Sequence, residues 1–332
     1  MGLADYNQVQ SARMTFTVSL VVGLLLLYLG AEWLVKGSTG LAALFGIRPF
    51  LIGLTLVAYG TSMPEVVVSS LAALEGKSDI ALGNVVGSNI ANIGLILGLT
   101  ALITPVPVEG RLILREIPTL LVTALVVPLS LVNGEISRWE SSLLLLGVVA
   151  FTMIAIRGGR REPLQNISLV EADAESAGAP AGTGKLRLTI IALVGLIALL
   201  FGGRVFVDGA TGLALAFGIS ERVVGLTIVA MGTSAPELAA SIVAAVRGHP
   251  GVAVGNVVGS NIFNVLFVLG GAGAIHPIAG DLGRMWLDMS ALLLFTIAGA
   301  VLVRTERRIT RLEGLLLVIG YGVFLLLVAR NS

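Results

Sequence analysis

The sequence predicts an all-α polytopic membrane protein of ten transmembrane helices, arranged as two inverted five-helix repeats. Three observations predict it. Over 332 residues the chain is 56% hydrophobic and 12% charged, with a mean hydropathy of +0.97, far above what a water-soluble domain of this length carries. Its apolar residues gather into ten runs, each about long enough to cross a bilayer as a helix. The second half repeats the first at a constant offset, so that Glu65 recurs as Glu237, 172 positions later.

The ten runs lie at about 16–35, 50–74, 79–104, 112–133, 140–157, 187–207, 222–246, 251–275, 285–303 and 311–329. They divide the chain into a polar N-terminal segment (1–15), a first five-helix repeat (16–157), a linker (158–186) and a second repeat (187–332). No small-residue cleavage site follows the first run, which is read as a retained helix rather than a signal peptide. The stretch from Arg157 to Lys185 opens with RGGRRE and continues through ESAGAPAGTG, a flexible cytoplasmic linker by composition and too short for a folded regulatory domain. Asn166-Ile-Ser168 matches a glycosylation acceptor pattern, which on the cytoplasmic side is read as accidental.

Orientation follows from Lys and Arg in alternate loops. One side, which includes Lys36, Arg48, Arg157, Lys185, Arg247 and Arg304 to Arg311, collects fourteen of the 21 basic residues. That side should be cytoplasmic, with both termini outside and the chain in the cell (inner) membrane of a prokaryote, where the short linker also points. Five helices per repeat is an odd number, so homologous repeats must insert upside down relative to each other.

The duplication is visible in polar and glycine identities. Gly23 to Gly98 matches Gly195 to Gly270 at about half of its positions, and GNVVGSNI at Gly83 to Ile90 returns at Gly255 to Ile262. Gly30, Gly37, Gly40, Gly46 and Gly53 fall on Gly202, Gly209, Gly212, Gly218 and Gly225. Many of the 42 glycines should let packed helices approach closely.

Two motifs carry the chemistry: GTSMPE at Gly60 to Glu65 and GTSAPE at Gly232 to Glu237. A carboxylate at the centre of a spanning helix costs roughly 2.5 to 3.5 kcal/mol on insertion scales, so these two should face the interior and a cationic partner. Ala58, Thr61, Ser62 and Glu65 recur at helical spacing, as do Ala230, Thr233, Ser234 and Glu237, lining one stripe on each helix. Pro64 and Pro236 have no N–H for Gly60 and Gly232, which should break both helices and expose carbonyls to a polar cavity. The third helix places Ser88 and Asn92 one turn apart, and the eighth does the same with Ser260 and Asn264; Gly87 and Gly259 allow close approach.

Two carboxylates, two amides, hydroxyls and carbonyls make an all-oxygen set with a formal charge of −2. Hard cations want such a set, calcium taking about 6 to 8 oxygens. The chain has no cysteine, and neither His249 nor His276 is near, which argues against zinc, copper or iron as the intended ion. One calcium or two monovalent ions neutralise the glutamates. A third sodium would leave the occupied site at +1 and the cycle electrogenic.

GTSMPE and GTSAPE, with GNVVGSNIAN and GNVVGSNIFN, resemble the two alpha repeats of the cation/calcium exchanger superfamily, in its prokaryotic sodium/calcium exchanger branch. The resemblance covers both five-helix halves. It implies ten transmembrane helices, alternating access, and exchange of sodium for calcium. It implies that Glu65 and Glu237 bind both ions, that Thr61 and Thr233 help, that Ser62, Ser88, Ser234 and Ser260 serve flanking sodium sites, and that Asn92 and Asn264 lie between. It further implies that the first and sixth helices slide. Asn at 264, where some relatives have Asp, weakens the case for potassium cotransport and removes one possible proton-binding acid. A calcium/proton antiporter is the second reading, followed by a cation channel and a non-transporting scaffold.

Blander roles attach to the other polar residues. Asn92 and Asn264 can serve as interhelical glue, and the serines can bond back to their own helices. Glu32 with Lys36 and Arg204 with Asp208 are i,i+4 pairs read as surface salt bridges or snorkelling groups, with a gating role as the alternative. His249 and His276 are read as solvated loop residues, and Arg304 to Arg311 as a topology signal, with anionic lipid binding as the alternative. The GTS serines lack a histidine base within the spans, so no enzyme activity is expected. The expected partners are calcium, sodium and membrane lipid, with no cofactor and no nucleic acid, and a monomer as the working unit.

Overall fold

The computed structural model describes residues 3–107, 115–159, 184–219, 231–305 and 308–331. A helix occupies each of the ten apolar runs. In chain order they are α1 (Leu3–Phe45), α2 (Pro49–Thr61), α3 (Met63–Leu74), α4 (Ser78–Ile103), α5 (Glu116–Ser130), α6 (Arg138–Gly159), α7 (Lys185–Ala216), α8 (Ala235–Val246), α9 (Pro250–Ile275), α10 (Trp286–Thr305) and α11 (Arg311–Asn331), with α2 and α3 sharing one run. Among the described residues, six are long and apolar enough to cross a membrane, and α2 with α3, bent by 44° at Ser62, make a seventh if counted as one span. The glycosylation pattern at Asn166 and most of the linker lie outside the described residues.

The first and sixth helices overrun their predicted ends. The 1–15 segment is polar, but Leu3 to Arg13 contains neither Gly nor Pro, and backbone hydrogen bonding continues through it into the apolar run. At the other end Gly37 and Gly40 do not stop α1, because they are closed over by Ala192 and Leu188 of α7.

α4 and α9 form the centre: 72% and 94% of their apolar windows are buried, against 22–33% for α1, α6, α7 and α11. Large apolar side chains on the outer helices, such as Leu146, Ile197, Leu294 and Leu326, point outward, as a lipid solvent permits. α1 and α7 run antiparallel, Gly23 meeting Phe206, Gly30 meeting Leu199 and Gly37 meeting Ala192. Added to Gly30, a Cβ would lie 2.4 Å from the Leu199 nitrogen; at Gly195 it would lie 2.4 Å from the Leu34 nitrogen. Only glycine allows backbones this close. Matching cation–π contacts close the ends, Arg13 over Phe217 and Lys185 over Phe45.

Two short antiparallel ladders cross between the halves. β1 (Val106–Pro107) pairs with β4 (Arg308–Ile309), and β2 (Glu135–Ile136) with β3 (Ile278–Ala279), each strand of one ladder being the repeat equivalent of a strand in the other.

Three surface expectations are corrected. Glu32 does not pair with Lys36; its Oε2 accepts from Nε of Arg247 at 2.8 Å, because the end of α8 packs beside α1 and a guanidinium there reaches the carboxylate first. Arg204 and Asp208 form no ion pair among the described residues. His249 is buried rather than solvated: the turn between α8 and α9 folds back so that its N–H reaches the Ala244 carbonyl at 2.8 Å. His276 is exposed, as expected.

Candidate cation site

Pro64 breaks the helix where the sequence requires it. Ser62 takes φ −81° and ψ 8°, outside the helical region, and Ser234 takes φ −88° and ψ 4° ahead of Pro236. The consequence is positional: Glu65 and Glu237 each fall in the first turn of a new twelve-residue helix, α3 and α8, where the helix dipole favours an anion. Both carboxylates are enclosed, Glu65 at 0% and Glu237 at 1% exposure.

Each carboxylate is half satisfied, and each accepts from a serine of the opposite repeat. Ser62 Oγ donates to Glu237 Oε1 at 3.0 Å; Ser234 Oγ donates to Glu65 Oε1 at 3.3 Å, joined by Ser88 Oγ at 3.4 Å. The remaining oxygens, Glu65 Oε2 and Glu237 Oε2, have no hydrogen-bond partner.

A supporting layer orients this pair. Asn84 Nδ2 donates to the Glu65 carbonyl at 3.2 Å and to Ser69 Oγ at 2.8 Å, and Asn256 Nδ2 does the same to the Glu237 carbonyl at 3.2 Å and Ser241 Oγ at 3.0 Å. Thr61 Oγ1 donates across the repeats to Asn256 Oδ1 at 3.2 Å, and Thr233 Oγ1 to Asn84 Oδ1 at 3.4 Å. The threonine hydroxyls therefore brace the amides that hold the glutamate backbones.

The asparagines come from α4 and α9, which both widen into a π-helical turn, at Asn92–Leu97 and Asn264–Leu269. Such turns cluster at functional positions. Neither Oδ1 nor Nδ2 of Asn92 has a partner, while Asn264 Nδ2 donates to Asn89 Oδ1 at 3.1 Å and leaves its own Oδ1 unpartnered. Ser260 Oγ is also unpartnered, whereas Ser88 Oγ bonds back to the Asn84 carbonyl at 2.7 Å. Ala58 is buried, and its carbonyl accepts the Ser62 N–H at 3.1 Å. Ala230 lies outside the described residues.

Glu65, Glu237, Asn92, Asn264, Thr61, Thr233, Ser62, Ser234, Ser88 and Ser260 thus lie along the broken pair α2–α3, at the start of α8, and on the paired helices α4 and α9. Asn84, Asn256, Asn89, Asn261, Ser69 and Ser241 were not singled out from the sequence. Their signal was available, since all six are polar identities in register between the repeats. A buried polar atom without a partner costs about 1–3 kcal/mol. Unpartnered acceptors, two of them carboxylate oxygens, are the complement of a dehydrated hard cation. Among the described residues no cluster of three or more His, Cys, Asp or Glu occurs.

Comparison with known proteins gives concordant results. The family model described as sodium/calcium exchanger protein matches residues 15–157 and 187–330. The chain is 39% identical over 308 residues to the putative antiporter CaxA of Alkalimonas amylolytica, covering 92% of this chain and 96% of that one. It is 31% identical over 338 residues to the sodium/calcium exchanger MaX1 of Methanosarcina acetivorans, covering 92% and 96%. A solved structure of the sodium-calcium exchanger NCX_Mj, soaked with sodium and strontium, superposes with a TM-score of 0.80 at 32% identity, covering 94% of this chain and 97% of that one.

Proposed function

This chain belongs to the sodium/calcium exchanger protein family, and on that premise we propose that it is an antiporter exchanging sodium for calcium by alternating access at the Glu65–Glu237 site. The observation that carries the reading is the set of enclosed, unpartnered acceptors: Glu65 Oε2, Glu237 Oε2, Asn92 Oδ1 and Asn264 Oδ1. Each glutamate keeps one oxygen on a serine of the other repeat and turns the other to the ion, while Ser88 and Ser260 extend the set toward flanking sodium positions. Thr61 and Thr233 act through Asn256 and Asn84. Ala58 and Ala230 contribute backbone oxygens.

Calcium and sodium compete for the same two carboxylates, which couples their fluxes. A site filled by calcium or by two sodium ions is neutral at the glutamates and can reorient. A half-filled site leaves a bare carboxylate in a low-dielectric interior, at roughly 2.5 to 3.5 kcal/mol or more, and is held back. Occupation by three sodium ions makes the cycle electrogenic.

The antiparallel α1 and α7 and the crossed β ladders support ten crossings in two inverted repeats, α2 with α3 making one crossing. The cytoplasmic side is the one rich in Lys and Arg, both termini are outside, and α1 with α7 slides against the rest. The monomer holds the whole site.

The test is radioactive calcium uptake into sodium-loaded proteoliposomes diluted into sodium, potassium or choline, with a separate pH-gradient arm. Uptake driven by the outward sodium gradient is expected. Uptake that ignores sodium and follows the pH gradient would overturn the reading in favour of proton exchange.

A further inference from the structure

Charged residues sit at equivalent positions of the two halves with their signs exchanged. Glu32 and Lys36 on α1 correspond to Arg204 and Asp208 on α7, and Glu75, just past α3, corresponds to Arg247, just past α8. Two equivalent cross-element pairs follow, Glu32 with Arg247 and Arg204 with Glu75. One is made: Arg247 Nε donates to Glu32 Oε2 at 2.8 Å and its Nη2 to the Tyr28 hydroxyl at 3.2 Å. In place of the other, Glu75 pairs with Lys77 at 2.6 Å in solvent, and Arg204 stands exposed on the rim of a cavity of about 440 Å³.

Packing divides the same way. Beside the formed pair, Ala31 and Val35 of α1 are buried in one apolar cluster with Ala240 of α8, and Ala239 packs against it. Their repeat equivalents, Gly203, Val207, Val68 and Val67, instead line the cavity, which reaches Thr233 of the cation site. The interface is closed where the ion pair exists and open where it does not.

We infer that Glu32–Arg247 and Arg204–Glu75 are alternating latches, each holding shut the approach to the cation site on its own side of the molecule. This rests on the alternating-access reading above. When α1 and α7 shift, the first pair parts, the cavity beside Arg204 collapses onto Val67 and Val68, and Arg204 leaves solvent to take Glu75 from Lys77. The two latches are unequal. Tyr28 gives Arg247 a second acceptor, whereas its equivalent Leu200 gives Arg204 none, which favours the conformation open at Arg204.

The chain has no cysteine, so Val67→Cys supplies a single thiol inside the cavity. Its labelling by a membrane-impermeant maleimide in proteoliposomes reports which approach is open. Glu32→Gln or Arg247→Gln should lower the labelling rate about two- to fivefold, the range set by a partly exposed ion pair. The double variant should do no more than either single one, and the exchanged pair Glu32→Arg with Arg247→Glu should restore the rate. Arg204→Gln or Glu75→Gln should raise it. Labelling that responds to sodium and calcium but is indifferent to all four neutralisations, or in which Glu32→Gln and Arg247→Gln act additively, overturns the latches while leaving alternating access standing. Labelling indifferent to both ions overturns alternating access, and the latches with it.

Discussion

The two glutamates and the α1–α7 pair are both places where the halves of the chain meet, and they meet by opposite means. At the glutamates, Ser62, Ser234, Thr61 and Thr233 each send a hydroxyl proton across to the other repeat. Along α1 and α7 the contact is backbone against glycine, with the hydrogen bond from Arg13 to the Ala216 carbonyl at the very end. Directional bonds fix the positions of individual polar atoms, whereas the glycines set how closely two backbones lie. The difference separates a centre fixed by directed hydrogen bonds from a pair of helices held by close backbone packing.

Charge removal at the centre should have the largest effect. Glu65→Gln and Glu237→Gln should each lower sodium-driven calcium uptake by at least about thirtyfold, the lower end for losing one partner of a buried charge pair. Both variants should melt no lower than the parent in detergent, because a neutral amide is cheaper to bury than a carboxylate. A large stability loss would mean that the glutamates are structural and would erase the contrast.

Filling the glycine contact comes next. Gly30→Leu or Gly195→Leu must push backbone atoms 2.4 Å from the new Cβ apart. Such overpacking costs about 1–3 kcal/mol or more, readable as a lower melting temperature. If the centre is independent of the pair, calcium should still raise the melting temperature of these variants; if it no longer does, the two regions are one unit.

The bracing amides give a smaller effect. Asn84→Ala and Asn256→Ala each remove a second hydrogen bond from a glutamate carbonyl, at about 0.5–1.5 kcal/mol, and should weaken calcium binding by up to about tenfold in calorimetry. Equal losses would sharpen the view of a symmetric centre. Arg13→Gln should do least, removing a cation–π contact worth about 0.5–1 kcal/mol from the end of the pair and leaving calcium uptake within about twofold.

The centre was largely legible because membrane burial makes polar residues conspicuous. Glu65, Glu237, Asn92 and Asn264 stand out as the few groups that a lipid-embedded helix has to justify, and Pro64 announced the break at Ser62. What hydropathy hides is direction. That Thr61 donates its hydroxyl to Asn256 depends on side chains nearly two hundred positions apart, and Asn84 escapes a sequence reading for that reason although its repeat equivalence with Asn256 is plain. Helix length misled for a related reason. Apolar runs mark where lipid is, whereas a helix continues until its hydrogen bonding is broken, so α1 and α7 extend past their predicted ends. The pairing of Glu32 with Arg247 defeats any local rule, since an i,i+4 partner stood ready at Lys36.

The crossed ladders also bear on biosynthesis. Val106 emerges and enters the membrane long before its partner Ile309 has been translated, and Ile136 likewise waits for Ile278. The amino-terminal half must therefore persist in the bilayer as an unsealed intermediate. Final assembly is a joining of two pre-inserted pieces, so halves synthesised as separate polypeptides, divided within the linker, should find each other and close both seams.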